Sequence, residues 1–159
     1  MKTHKSVIIK SIIYKREKNM LRGLLSLGGL ILSANLFLSS AVNSGLCEGN
    51  SGCQTVLAST YSSFFNIPLS VLGLAYFFTI FILSIKDQIF KGSSSSITSA
   101  ALSLPAALLS VYYIILQVAV IGAYCWVCNL THLLVLILAY IGIKELRETS
   151  NLNESLKDV

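Results

Sequence analysis

The sequence predicts an all-α protein, an integral membrane four-helix bundle with a short loop helix capping its outer side. Composition is the first reason: of 159 residues, 54% are hydrophobic and only 12% charged, whereas roughly a quarter of a soluble domain is charged. The second is four apolar runs, residues 21–42, 68–85, 97–121 and 125–143, all within the length range of a membrane-spanning helix, and the first long enough to cross about 30 Å of hydrocarbon at 1.5 Å per residue. The third is charge asymmetry. Seven of the twelve Lys and Arg residues precede Gly23, the pattern of a segment that stays in the cytoplasm. Basic residues flanking an apolar run do not describe a nucleic-acid-binding surface, and no nucleic-acid partner is expected.

Residues 1–20 alternate Lys with Val, Ile and Tyr and read as a basic amphipathic segment on the inner membrane surface. The run 21–42 is longer than a signal-peptide core and reads as a retained first span. Residues 43–67 form the one sizeable polar connection. Its first part, around Cys47 and Cys53, carries Gly45, Gly49, Asn50 and Gly52, which let the backbone turn sharply. Farther on, Val56, Leu57, Tyr61, Phe64 and Phe65 are spaced to form one apolar face of a short helix. Pro68 opens the second span, where its missing N–H is harmless.

A short turn with Lys86, Asp87 and Lys91 leads to the third span. There Ser99, Ala100, Ser103, Ala106, Ala107 and Ser110 permit close helix approach, and Pro105 predicts a kink. Residues 122–124 turn into the fourth span, and 145–159 form a charged cytoplasmic tail; residues 21–144 are thus the membrane domain. Counting positive charge places both termini and the Lys86/Lys91 turn in the cytoplasm. Both cysteine pairs then face the extracytoplasmic side.

Those pairs, Cys47 with Cys53 and Cys125 with Cys128, suggest disulfide chemistry in an oxidising compartment. Cys125 and Cys128 are three positions apart, about one helical turn, at a helix start where unpaired N–H groups favour a thiolate. A mobile loop pair can exchange with a soluble partner and then with this anchored pair, which hands two electrons to an acceptor dissolved in the lipid. Cys125, at the edge, is placed to exchange with the loop, and Cys128, deeper, to meet the acceptor. His132 shares their helical face and is the only Asp, Glu, Lys, Arg or His between Gly92 and Ile143. An ionisable residue in a span is a functional candidate, here for hydrogen-bonding a quinone carbonyl or supplying a proton. Ser59 is a candidate to aim a hydroxyl into the same site.

Other readings exist. Two inert disulfides fit the cysteine count, but a Cys-x-x-Cys bridge closes a tiny loop and stabilises little. A Cys₄ zinc site is disfavoured by the five-residue gap between Cys47 and Cys53, and no metal is expected. A small structural or transport subunit with structural disulfides remains the alternative. Proton-coupled transport generally needs a membrane carboxylate, and no apolar run contains Asp or Glu.

In this order, Cys47-x₅-Cys53, Ser59, Asn66-Ile67-Pro68-Leu69-Ser70-x₂-Gly73 and Cys125-Trp126-Val127-Cys128 resemble the vitamin K epoxide reductase family. The chain resembles in particular its bacterial members without a fused thioredoxin-like domain. The resemblance implies a bundle around a quinone (menaquinone, ubiquinone or a vitamin K-like molecule) in a bacterial inner or plasma membrane. It also implies a thioredoxin-like (DsbA-type) extracytoplasmic partner and disulfide formation in exported proteins. Cys47 and Cys53 match the loop pair, Cys125 and Cys128 the quinone-facing pair, and Ser59 the loop-helix hydroxyl. His132 stands where vertebrate members carry Tyr.

Overall fold

A computed structural model describes the backbone of residues 2–42, 46–47, 49, 51–89 and 94–157, and side chains within 17–42, 46–47, 49, 52–87 and 98–148. Helix α1 runs from Lys2–Val42, α2 from Ser51–Ala58, α3 from Leu69–Ile89, α4 from Ser94–Leu116 and α5 from Trp126–Lys157. Four of these helices are long and apolar enough to cross a membrane, over Glu17–Val42, Leu69–Asp87, Thr98–Ile121 and Trp126–Glu148. The protein is therefore an all-α integral membrane bundle. The basic start does not form a separate helix, because the backbone of α1 continues from it into the first span. The charged tail likewise extends α5 to Lys157.

Helices α1 and α3 form one tightly packed pair, α4 and α5 another, and α1 also lies against α5. Close approach depends on small residues where no water-driven force holds helices together. Gly29 receives the ring of the fully buried Phe77, and Gly142 faces the backbone of Ala100. The small residues of α4 behave as expected, with Ser99, Ala100, Ser103 and Ser110 all buried. Helix α4 continues through Pro105 and ends in a π-helical turn, Gln117–Ile121. Gly122 stops that turn at φ 64°, its N–H donating to Gln117 O.

The connection after α1 departs from the expected single helix. Helix α2 ends at Ala58, where Ser59 Oγ donates to Val56 O at 2.7 Å, and a 3₁₀ turn follows at Thr60–Ser62. Strands β1 (Ser63–Phe64) and β2 (Ile67–Pro68) then pair antiparallel, Phe64 opposite Ile67. The two turn residues, Phe65 and Asn66, have φ of 50° and 62°, the left-handed pair a two-residue hairpin requires. Phe65 therefore points away from any helical face and is 87% exposed. Pro68 closes β2, and α3 begins at the next residue. Of the glycine-rich turn expected before α2, Gly45 and Asn50 lie outside the described residues, as does Lys91 of the turn after α3; Gly49 has a φ of 73°.

At the end of the bundle away from the cysteines, Arg22 is buried between two acids. Its Nη1 lies 2.8 Å from Glu145 Oε2 and 3.6 Å from Asp87 Oδ2. This ties α1, α3 and α5 together.

Candidate active site

Four sulfurs meet at the opposite end. Helix α2 carries Cys53, while Cys125 immediately precedes α5 and acts as its cap, with Cys128 N–H donating to Cys125 Sγ at 3.2 Å. Cys125 and Cys128 are joined in a disulfide with Cα atoms 5.3 Å apart. Cys47 and Cys53 are free thiols. Cys53 Sγ lies 3.0 Å from Cys125 Sγ, and the sulfurs of Cys47, Cys53 and Cys125 all fall within 4.8 Å of one another. Cys125 is the disulfide-bonded member of this triad, so the cluster sets the Cys53 thiol directly beside a disulfide.

The carbonyl of Cys125 is held from two directions, by the N–H of Asn129 at 3.0 Å and by Asn129 Nδ2 at 3.0 Å. The same Nδ2 donates to Gln117 Oε1 at 3.2 Å, coupling the disulfide to the π turn of α4. The anchored pair is thereby fixed at the start of α5.

All four sulfurs are enclosed, Cys53 and Cys125 completely. Leu36, Val56 and Val127 pack around them. This burial, together with the neighbouring Cys53 thiol, pushes Cys47 from its ordinary value of 9.0 up to about 12, against a smaller opposing effect of the Ser39 hydroxyl. In this conformation Cys47 is a protonated thiol shielded from macromolecules.

Beside the cysteines a cavity of about 400 Å³ opens between the helices. Its walls are almost wholly apolar, including Leu36, Leu57, Phe77, Leu102 and Val135, and Cys128, His132 and Ser59 all contribute to it. Of the residues singled out in the sequence, Cys47, Cys53 and Cys125 form the buried sulfur cluster and Cys128 bridges cluster and cavity. His132 lies parallel to Tyr113, with interplanar angle 4° and centroids 6.2 Å apart. Ser59 lines the cavity, but its hydrogen goes to Val56 O. An apolar slot with few polar groups and a disulfide sulfur in its wall fits a flat lipid-soluble ring.

Sequence reasoning did not find Tyr113, Gln117 or Asn129, nor Ser33, which also lines the cavity. Asn129 carried a signal in directly following the Cys-x-x-Cys pair. Gln117, an uncharged polar residue in an apolar run, carried a weaker one. Tyr113 and Ser33 carried none, since Tyr and Ser occur throughout these spans.

A family model described as "Vitamin K epoxide reductase family" matches residues 20–143. No curated protein matches the chain.

Proposed function

The chain belongs to the vitamin K epoxide reductase family, and from that premise we propose that it is a quinone-dependent membrane thiol oxidase that supports disulfide formation in exported proteins. Membership makes it an oxidoreductase of the disulfide-forming or quinone-reducing kind. The observation that carries the finer reading is the 3.0 Å approach of the Cys53 thiol to Cys125. Cys125 is already bonded to Cys128, and Cys128 stands in the wall of an apolar cavity.

The chemistry is thiol–disulfide exchange. Cys53, as thiolate, attacks Cys125 Sγ; the Cys53–Cys125 bond forms, the Cys125–Cys128 bond breaks, and Cys128 leaves as thiolate. Cys47 then attacks Cys53 and releases Cys125. The loop pair is now oxidised and the helix pair reduced, the two loop-thiol protons having passed to Cys125 and Cys128. A quinone in the cavity supplies the two-electron acceptor that restores the Cys125–Cys128 disulfide. His132 would orient that acceptor and relay to it one of the two protons held by Cys125 and Cys128, and the cavity walls exclude water.

The oxidised loop pair takes electrons from a reduced thioredoxin-like, DsbA-type protein on the extracytoplasmic side, both chain termini lying in the cytoplasm. Because the loop sulfurs are enclosed, Cys47 has to become accessible to the partner for that exchange. The deciding experiment compares membranes holding the wild type with membranes holding Cys128→Ala, each given the reduced partner. Oxidation at the wild-type rate by Cys128→Ala would end the proposal.

A further inference from the structure

Among the described residues, one buried side-chain polar atom has no hydrogen-bond partner: the hydroxyl of Ser33, which is 1% exposed. Hydroxyls in membrane helices ordinarily turn back to a carbonyl of their own helix. Others here do so: Ser26 donates to Gly23 O, Ser40 to Phe37 O and Thr131 to Val127 O. Ser33 does not. It lies against Gly73 of α3, where an added Cβ would stand 2.9 Å from Ser33 Oγ, and it lines the cavity that also holds Cys128 and His132.

Its depth follows from helix geometry. Leu36, on the same helix, packs among the cysteines. Ser33 is three residues back, roughly 4.5 Å farther from them along the axis. His132 is four residues past Cys128, about 6 Å deeper on α5, and α1 packs against α5. The unpaired hydroxyl and the imidazole thus stand at similar depth, about one turn below the reactive sulfur.

We propose that Ser33 is a substrate-contacting residue whose hydroxyl donates a hydrogen bond to a carbonyl oxygen of the quinone, holding its ring at the level of His132 and beneath Cys128. The proposal rests on the quinone reading above and deepens it by naming a donor on α1. It also accounts for the missing partner, which the ligand itself provides.

The test uses the full chain in lipid nanodiscs with dithiothreitol as donor and, separately, menadione and ubiquinone-1 as acceptors. Ser33→Ala is expected to raise the acceptor KM about tenfold while leaving oxidation of Cys47 and Cys53 by the existing Cys125–Cys128 disulfide unchanged. Without acceptor, Ser33→Ala should melt no lower than the wild type, because the hydroxyl it lacks had no partner to lose. Ser26→Ala, equally buried on the same helix, should leave KM alone. An unchanged KM in Ser33→Ala, a lowered melting temperature without acceptor, or an equal rise in Ser26→Ala overturns the assignment. A wild type that reduces neither acceptor overturns the quinone reading instead, and the assignment with it.

Discussion

Cys53 and Cys125 are 72 positions apart in the chain, yet their sulfurs lie 3.0 Å apart in a fully enclosed cluster. Because Cys125 is bonded to Cys128, that approach sets a thiol beside a disulfide with a defined leaving sulfur. Either Cys47 or Cys128 can open a Cys53–Cys125 bond, so removing both should strand the exchange halfway. The double variant Cys47→Ala/Cys128→Ala is expected to accumulate a Cys53–Cys125 disulfide on air oxidation, seen as a cross-linked peptide in non-reducing mass mapping, and to lose turnover to background. A Cys47–Cys125 cross-link in Cys53→Ala/Cys128→Ala, with no Cys53–Cys125 cross-link in the first variant, would reassign the attacking sulfur.

The Cys47 thiol gives the reaction a pH signature. Its pKa is raised to about 12 from 9.0, mainly by burial, so between those values the folded protein retains a proton that the unfolded chain releases. Stability therefore falls as pH climbs from about 9 to about 12. Alkylation of Cys47 by iodoacetamide in the folded protein should rise about tenfold per pH unit from 7 to 10 without levelling off, since the thiolate fraction grows with pH below the pKa. A plateau near pH 9 would mean that the loop opens freely and the thiol behaves as an exposed one.

His132 lies parallel to Tyr113 in the cavity wall. His132→Leu removes a polar group and keeps bulk, so the acceptor KM should rise about fivefold, the worth of roughly 1 kcal/mol of hydrogen bonding. His132→Tyr, the residue found at this spacing in vertebrate members, should recover most of the loss. Exchange between the two cysteine pairs should be the same in both variants. Slower exchange would place His132 in the sulfur chemistry and not at the acceptor.

Arg22 is the electrostatic joint of the far end, enclosed between Glu145 and Asp87. Breaking a buried ion pair from one side leaves uncompensated charge, at about 3–5 kcal/mol. Arg22→Leu strands two carboxylates and should lower the melting temperature in detergent most. Glu145→Gln leaves Arg22 its Asp87 partner and should cost less. The reverse order would show that the joint is held by packing and not by charge.

The spans and the sulfur pairs were legible because their signals are one-dimensional. Apolar length marks Leu69–Asp87 as well as any contact could, and Cys125 and Cys128 are spaced for one helical turn. The loop was less legible. Val56 and Leu57 do lie on α2, but Phe64 and Phe65 extend the apolar spacing past the point where two left-handed residues turn the backbone into a hairpin. Helical periodicity cannot detect that change, and only Asn66, tolerant of positive φ, hinted at it. The Arg22 cluster was invisible for another reason. Arg22 belongs to a basic stretch that reads as a surface anchor, and its two acids come from helices more than sixty positions away.

Two adjacent glycines on α1 separate packing from propensity. An added Cβ at Gly28 meets nothing within 4 Å, whereas at Gly29 it would run into the ring of Phe77. Phe77 is fully buried against α1 and cannot retreat, and overpacking of this kind costs about 1–3 kcal/mol. Gly28→Ala loses nothing of the sort and gains helix propensity worth up to roughly 1 kcal/mol. Gly29→Ala should therefore lower the melting temperature and loosen the α1–α3 pair, while Gly28→Ala leaves it unchanged or raises it. Since Phe77 also lines the cavity, Gly29→Ala should weaken acceptor binding as well. Combining it with Phe77→Leu, which makes room for the new methyl group, should restore much of the stability. If Gly29→Ala is as stable as Gly28→Ala, the two helices do not meet at the distance described here.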